Sequence, residues 1–177
     1  ILQWKKQKED IQYIFSRDIL NAGITYQEDA IYLDKFEIYK DNLISIKAFG
    51  STDIGISFLI QTEGKQIFHA GDLNNWHWNE ECLPEESQEY ENNYLNELEL
   101  LAKEVHHLNL AMFPVDPRLG KDYMRGAEQF ISRISTDIFA PMHFGESYKK
   151  VAAFAYYAKT KKCKFLKWTC KGEYITF

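Results

Sequence analysis

The sequence predicts an α/β protein in which β-sheets are covered by helices, and three observations support this fold class. The chain has 177 residues, 45% of them hydrophobic, which suffices for the core of one domain of ordinary size. Residues 30–69 alternate between apolar and polar side chains with the period of a strand. After Trp78, helical and strand patterns alternate, and this order favours sheets packed against helices.

The first part of the chain predicts mainly strands. A charged, amphipathic segment through Gln7 to Glu9 is typical of the end of a helix, and "IQYIFSRDI" after it predicts a short strand. The stretches "AIYLDKFEIYKDNLISIKAFG" and "GISFLIQTEGKQIFHAGD" carry the strand alternation, which turn residues interrupt. Within the second stretch, "TEGK" at residues 62–65 predicts a hairpin turn.

The second part of the chain predicts alternating helices and strands. In order, these are an acidic helix with Tyr94, Leu98, Leu101 and Val105 at helical spacing, the buried strand "LNLAMFPV", the helix "YMRGAEQFISRI", the strand "DIFAPMHF", the helix "SYKKVAAFAYYAKT", and a final hairpin of "KCKFLKW" and "GEYITF". No repeat, low-complexity tract or linker divides these segments, so residues 1–177 are predicted to form one domain.

Composition and charge argue against several classes of protein. The formal net charge of -5 and the pI of about 5.6 do not suit a general nucleic-acid binder, which would carry a basic patch. No apolar run approaches the roughly 20 residues that a membrane span needs, and no secretory leader is recognised. The cysteines Cys82, Cys163 and Cys170 form no CxxC pair, which favours reduced thiols. The thiols and the lack of a leader favour a cytoplasmic protein; the sequence leaves a homo-oligomer open.

Asp72 and His143 are the main candidates for chemistry. Asp72 follows "IFHAG", an apolar strand with a glycine that permits a sharp turn, and its alternative role is to cap that turn. His143 ends the apolar strand "FAPMH" in the same way, with a core or turn histidine as the alternative. Loops at one edge of a layered sheet converge, and a carboxylate with an imidazole is a ligand set for zinc, manganese or iron. Together the two residues predict a metal site.

The pattern "GKQIFHAGD" followed by "FAPMHFG" resembles the metallo-β-lactamase fold hydrolases, most closely their lactonase and phosphodiesterase-like branch. The resemblance spans residues 11–144. It implies a four-layered αββα sandwich and up to two divalent metal ions, with zinc expected and manganese or iron as alternatives. It also implies that Asp72 bridges the two ions and that His143 binds the second.

The chain departs from the pattern of this family at two places. The family's His-x-His-x-Asp-His segment is absent, and it normally precedes a helix like the one in which the chain opens. We therefore expect an N-terminally incomplete sandwich that lacks its first strands. The family's next histidine aligns with Gly50 in "AFGSTDIGISFLI". Asp53, three residues further on, is the candidate oxygen ligand at that place, with a turn residue as the alternative.

Three further polar residues have both a functional and a structural interpretation. His77 lies between Trp76 and Trp78 and is a candidate metal ligand, general acid or pocket wall, or a loop histidine stacked between indoles. At least one of the two indoles is expected to border the site, because pockets are lined by aromatic side chains. Asp116 and Arg118 in "FPVDPRLG" could bind an anionic substrate or hold their own loop together.

The resemblance implies a hydrolase in which metal-bound hydroxide attacks a small ester, lactone or phosphodiester. Asp72 would hold the metal and orient the hydroxide, and His77 or a water molecule would protonate the leaving group. The alternative is a non-catalytic binding or scaffold module of the same fold. We expect the side chains of Asp72 and His143 to lie about 4–6 Å apart as ligands of shared metals. The chain alone is expected to bind metal poorly and to be inactive, because catalytic zinc usually has three protein ligands.

Overall fold

The computed structural model describes residues 2–8, 10–21 and 30–177. The described strands are β1 (Ile14–Ser16), β2 (Ile31–Leu33), β3 (Ile38–Lys40), β4 (Ile44–Phe49), β5 (Ser57–Thr62), β6 (Lys65–His69), β7 (His107–Pro114), β8 (Ser135–Met142) and β9 (Lys164–Phe165). The described helices are α1 (Leu2–Gln7), α2 (Asp18–Asn21), α3 (Pro84–Ala102), α4 (Arg125–Arg133), α5 (Tyr148–Val151) and α6 (Phe154–Thr160), and a 3-10 segment covers Pro117–Asp122.

Seven strands form one mixed sheet in the order β3-β4-β5-β6-β7-β8-β9. Strands β3 to β6 are antiparallel neighbours, whereas β6 to β9 run parallel. Helices α3, α4 and α5 with α6 lie between the successive parallel strands in sequence and provide the crossover connections that parallel pairing requires. The predicted α/β class is confirmed.

The hairpin between β5 and β6 has the predicted turn. Thr62 pairs with Lys65, and the two residues between them, Glu63 and Gly64, have φ values of 50° and 74°. Two successive positive φ values are typical of the turn that matches the twist of a two-residue hairpin. This turn fixes the register of β6 and therefore the direction in which the chain leaves the sheet towards Asp72.

Helix α3 illustrates how local sequence sets an element. Pro84 stands at the start of the helix, and the Glu86 side chain accepts a hydrogen bond from the Leu83 N–H at 3.0 Å. The apolar residues Tyr94 and Leu98 are buried against the sheet. The helix ends at Ala102, so the buried Val105 follows it rather than belonging to it. None of the helices in the described residues is long and apolar enough to cross a membrane.

The larger core lies between the seven-stranded sheet and helices α3, α4 and α6. One face of the sheet contributes Phe49, Leu59, Phe68, Phe113 and Phe139, and the helices contribute Tyr94, Leu98, Phe130 and Phe154. The rings of Phe113 and Phe130 approach to 4.6 Å between centroids, and those of Phe139 and Phe154 to 4.9 Å. This aromatic packing fixes the three parallel strands that carry the candidate site.

The opposite face of the sheet packs against the small sheet formed by β1 and β2. Leu33 of the small sheet clusters with Ile46 and Ala48 of β4, and Ile14 and Ile31 pack around them. The structure therefore has helices, a large sheet and a second sheet in successive layers. The two described strands of this second sheet pair in parallel.

The predicted C-terminal hairpin is wrong. Strand β9 pairs in parallel with β8, with Ile138 opposite Lys164, and residues 172–177 form no strand. The physical reason is the connection, because β9 follows helix α6 and a strand reached through a crossover helix joins its neighbour in parallel. The last residues instead pack on the sheet, where Trp168 and Ile175 contact the cluster around Leu110.

Candidate functional site

Three loops meet at the carboxyl ends of the parallel strands. Gly71 and Asp72 follow β6, Asp116 and Arg118 follow β7, and His143 follows β8. The three strands are direct neighbours with these ends aligned, as His69 pairs with Met112 and Pro114 with Met142. In open α/β sheets this edge is where ligands bind. Adjacent parallel pairing thus gathers residues that are up to 71 positions apart in the sequence.

Asp72 and His143 face each other directly. The His143 Nε2 atom lies 2.9 Å from Asp72 Oδ1, which is closer than the separation expected from the sequence, and both side chains are about one-third exposed. Glycine is required before Asp72, because Gly71 has a φ of +56° and a Cβ there would lie 2.8 Å from the Ile56 carbonyl oxygen. His143 itself has a φ of 64°, a left-handed conformation that is uncommon for residues other than glycine and is frequent at functional sites.

Asp116 also belongs to this cluster, although its sequence context was compatible with a purely local role. Its side chain is only 1% exposed, and its Oδ2 atom lies 3.3 Å from the second imidazole nitrogen of His143, Nδ1. Arg118 donates hydrogen bonds to it from Nε, at 3.0 and 2.9 Å, and from the backbone N–H, at 3.0 Å. Burial alone would raise the pKa of the Asp116 carboxyl, but the hydrogen bonds and charge of Arg118 outweigh burial and lower it.

Trp76 is a buried residue of the core that lies beside this pair. Its indole N–H donates to the Asp72 carbonyl oxygen at 2.8 Å, and its ring meets the His143 ring edge-on at 5.6 Å between centroids. The half-buried Trp78 stacks on Trp76 at 6.2 Å. The indole of Trp76 therefore covers one side of the imidazole and fixes the turn that carries Asp72.

The imidazole of His77 forms hydrogen bonds with nearby backbone groups. The residue is fully buried, its Nε2 atom lies 3.2 Å from the Asp122 carbonyl oxygen, and its Nδ1 atom accepts from the Asn79 N–H at 3.2 Å. Burial lowers the pKa of the imidazole below its ordinary value. Because both ring nitrogens are engaged, this placement gives no support to the expectation that His77 binds metal or protonates a leaving group.

Asp53 stands on the neighbouring loop, which is joined to the Asp72 turn by Thr52. The Thr52 hydroxyl donates to the Asn74 carbonyl oxygen at 2.6 Å and accepts from the Asn74 N–H at 3.0 Å. Asp53 is exposed, and its charge adds to the hydrogen bonds and charge of Asp116 in raising the pKa of Arg118. Across the described residues, no group of three or more His, Cys, Asp or Glu side chains is arranged to hold a metal ion. The structure thus does not join Asp53 to Asp72 and His143 as a common ligand set.

Gly50 occupies the place where the resemblance would put a histidine. A Cβ added to Gly50 would overlap the carboxylate of Glu97, which reaches it from helix α3. Glu97 is itself paired with Lys35 at 2.6 Å. The space that a side chain at this position would need is therefore already filled by a paired carboxylate.

A cleft opens next to His143 and supplies room for a small ligand. Its volume is about 460 Å³, within the range typical of small-molecule sites. It is lined by residues of the β7 and β8 loops, namely Asp116, Pro117, Arg118, His143, Phe144, Gly145, Glu146 and Ser147. The imidazole of His143 and the guanidinium of Arg118 are therefore both accessible from one cavity.

Comparison with solved structures identifies the fold. A candidate metal-dependent hydrolase from Parabacteroides distasonis is similar with a TM-score of 0.62 and 14% identity, over 93% of this chain and 67% of that protein. The metallo-β-lactamase fold protein YhfI from Bacillus subtilis is similar with a TM-score of 0.57 and 9% identity, over 93% of this chain and 66% of YhfI. A mutant of the Streptomyces venezuelae β-hydroxylase CmlA is similar with a TM-score of 0.54 and 11% identity, over 83% of this chain and 33% of CmlA.

The chain has the metallo-β-lactamase fold, which confirms the fold that its sequence resembles. It spans about two thirds of the length of the first two proteins compared. No protein-family model matches the sequence, and no curated protein matches it.

Proposed function

We propose that this protein is a metal-dependent hydrolase that acts on a small ester, lactone or phosphodiester, with Asp72 and His143 among its metal ligands. The observation that carries the proposal is the direct approach of these two side chains, at 2.9 Å, on the carboxyl edge of the sheet. One of the similar structures supports it, since it is a candidate metal-dependent hydrolase.

The donor atoms fit a divalent metal in kind but supply only part of a ligand set. A carboxylate oxygen and an imidazole nitrogen suit zinc, and manganese or iron are alternatives. A catalytic zinc site usually has three protein ligands and an open position. Asp116 is bound to Arg118 and does not extend the set, so further ligands would have to join Asp72 and His143.

The surrounding residues are suited to support such a reaction. A bound divalent ion would polarise the scissile carbonyl or phosphoryl group and lower the pKa of a water molecule. The Asp72 carboxylate would orient that water, and Trp76 would keep solvent from one side of the His143 ring. The adjoining cleft would admit a small substrate. A water molecule would protonate the leaving group, because the ring nitrogens of His77 are engaged elsewhere.

A specific observation favours a second candidate function, a non-catalytic binding or scaffold module of the same fold. Gly50 stands where a metal-binding histidine would be expected, and the Glu97 carboxylate fills the space beside it. A protein that had lost metal binding would tolerate this exchange. The presence of both Asp72 and His143 favours the hydrolase.

Metal titration of the ¹⁵N-labelled chain separates the two functions. We expect Zn²⁺ to shift the imidazole ¹⁵N signals of His143 first, and Asp72→Asn to weaken this binding at least about tenfold. The matched control is His107→Ala, because His107 Nε2 lies 2.9 Å from Asp137 Oδ1 in an exposed pair away from the site. This variant should leave the response of His143 unchanged.

The same samples test the substrate class with 4-nitrophenyl acetate, a homoserine lactone and bis(4-nitrophenyl) phosphate. The chain with these two ligands alone should hydrolyse none of them. Once further ligands complete the site, Zn²⁺-dependent hydrolysis should be lost in the Asp72→Asn variant and kept in the His107→Ala variant. A titration in which Zn²⁺ leaves the His143 signals unmoved would remove the hydrolase proposal and favour the non-catalytic module.

A further inference from the structure

The imidazole of His143 lies between two carboxylates in different surroundings. Its Nε2 atom faces Asp72, which is one-third exposed, at 2.9 Å. Its Nδ1 atom faces Asp116, which is 1% exposed, at 3.3 Å. One nitrogen thus points to the accessible side of the cluster and the other points into the protein. An imidazole that binds a metal through one nitrogen commonly donates its other N–H to a carboxylate.

Arg118 explains how the Asp116 carboxylate can be buried and held in one orientation. A buried carboxylate without partners would be strongly destabilising. The Asp116 Oδ1 atom accepts from the backbone N–H of Arg118 and from Nε, each at 3.0 Å, while Oδ2 accepts from Nε at 2.9 Å and from Nη2. Oδ2 is also the atom that faces His143. The Arg118 side chain is 65% exposed. Its guanidinium therefore holds the buried carboxylate so that Oδ2 faces the imidazole.

We infer that Asp116 is a positioning residue for His143: when Nε2 gives up the proton that it shares with Asp72 in order to bind a metal, Asp116 keeps the remaining proton on Nδ1, so that the Nε2 lone pair is available to the metal. This inference rests on the proposed function for the metal, although the proton position can be tested without one. A neutral imidazole has an N–H on one ring nitrogen and a lone pair on the other. A hydrogen-bond acceptor beside Nδ1 favours the N–H at Nδ1 and leaves the lone pair on Nε2. Asp116 can determine the position of this proton because Arg118 prevents its carboxylate from rotating away from Nδ1.

The substitution Asp116→Asn should reverse the proton position. Each carboxylate oxygen accepts two hydrogen bonds from Arg118. The amide NH₂ should take the place of Oδ2, because the exposed Arg118 side chain can turn away from it, whereas the backbone N–H of Arg118 at Oδ1 cannot. That NH₂ group would then donate to His143 Nδ1, which drives the proton to Nε2. A metal would then meet an N–H instead of a lone pair. The exchange keeps the shape of the side chain, so its effect reports on hydrogen bonding rather than on volume.

The test reads the His143 tautomer by long-range ¹H–¹⁵N correlation, at an alkaline pH at which the spectrum itself shows a single N–H on the ring. The metal-free Asp72→Ala variant removes the competing acceptor at Nε2. We expect Nδ1–H in this variant and Nε2–H after Asp116→Asn is added. The control Asp137→Asn, at the His107 pair, should not change the tautomer of His143. Finding Nε2–H in the Asp72→Ala variant would overturn the inference, and this result needs no change at Asp116.

Zn²⁺ affinity provides the second measurement. Asp116→Asn in the otherwise unchanged chain should weaken Zn²⁺ binding at His143 by about 10–100-fold, as loss of a carboxylate behind a metal-bound histidine usually does. Equal affinity with and without the Asp116 carboxylate would overturn the positioning role while leaving the proposed hydrolase intact. Absence of Zn²⁺ binding in every variant would remove the hydrolase, and the tautomer measurement would still decide the role of Asp116.

Discussion

At the scale of single residues, the burial of two histidines makes the stability of the protein depend on pH. His69 and His77 both have a pKa lowered by burial, whereas His107 is exposed beside Asp137. A lowered pKa means that the unfolded chain takes up protons before the folded protein does, near an ordinary histidine pKa of about 6.5. The free energy of unfolding is therefore expected to fall as the pH is lowered from about 7.5 to about 5.5.

Urea unfolding at these two pH values checks this expectation. The double variant His69→Gln/His77→Gln should lose part of the pH dependence, because it removes the half-buried imidazole of His69 and the buried imidazole of His77. The variant Asn93→Ala, which changes no titratable group, should keep the dependence of the unsubstituted protein. If the double variant showed the full decrease, groups other than these two imidazoles would be responsible.

At the scale of elements, a close approach between α4 and the loop after Asp72 reverses the usual effect of a glycine substitution. Alanine normally stabilises a helix by about 1 kcal/mol relative to glycine. A Cβ at Gly126 in the first turn of α4 would overlap Asn74 Oδ1 and lie 2.8 Å from the Asn75 backbone nitrogen. We therefore expect Gly126→Ala to lower the free energy of unfolding by about 1–3 kcal/mol through overpacking.

Chemical denaturation measures this effect, with Asn93→Ala as the control. Asn93 is an exposed residue in the middle of α3, so alanine there should leave stability unchanged or raise it by a few tenths of a kcal/mol. A Gly126→Ala variant as stable as this control would mean that the loop moves away at no cost.

The elements that the sequence predicted well are those set by nearby residues. The turn at residues 62–65 and helix α3 follow from local composition and periodicity. The parallel pairing of β9 with β8 could not be predicted from a strand pattern, because it depends on the crossover through α6. The site follows the same division. Asp72 and His143 each stand at a strand end, which local sequence reveals.

The contact of Asp116 with His143 joins residues 27 positions apart, and the sequence did not predict it. Arg118 lies two positions away and pairs with Asp116, so the sequence already explains the carboxylate by a local ion pair and does not indicate a further partner. Only the alignment of β7 with β8 brings the imidazole to the remaining side of the carboxylate. Roles that depend on strand neighbours far apart in sequence are therefore the part of the site that sequence reasoning missed.

At the scale of the whole molecule, the proposed metal site has two ligands among the described residues, Asp72 and His143, so metal should stabilise the folded chain only weakly. A ligand that binds the folded state adds RT ln(1 + [L]/Kd) to the free energy of unfolding. With a Kd on the order of 100 µM, as expected for two ligands, about 100 µM Zn²⁺ adds about 0.4 kcal/mol. For a chain of this length, that raises the Tm by about 1–2 °C.

Thermal unfolding with EDTA and with Zn²⁺ measures this difference, and the variants Asp72→Asn and His143→Ala should abolish it. A complete site behaves differently, since a Kd on the order of 1 nM would add about 7 kcal/mol at the same Zn²⁺ concentration. The corresponding Tm increase would exceed about 10 °C. Such an increase would contradict the prediction and would show that a third ligand joins Asp72 and His143 on metal binding. Asp53 would be the first residue to test, because its loop is tied by Thr52 to the turn that carries Asp72.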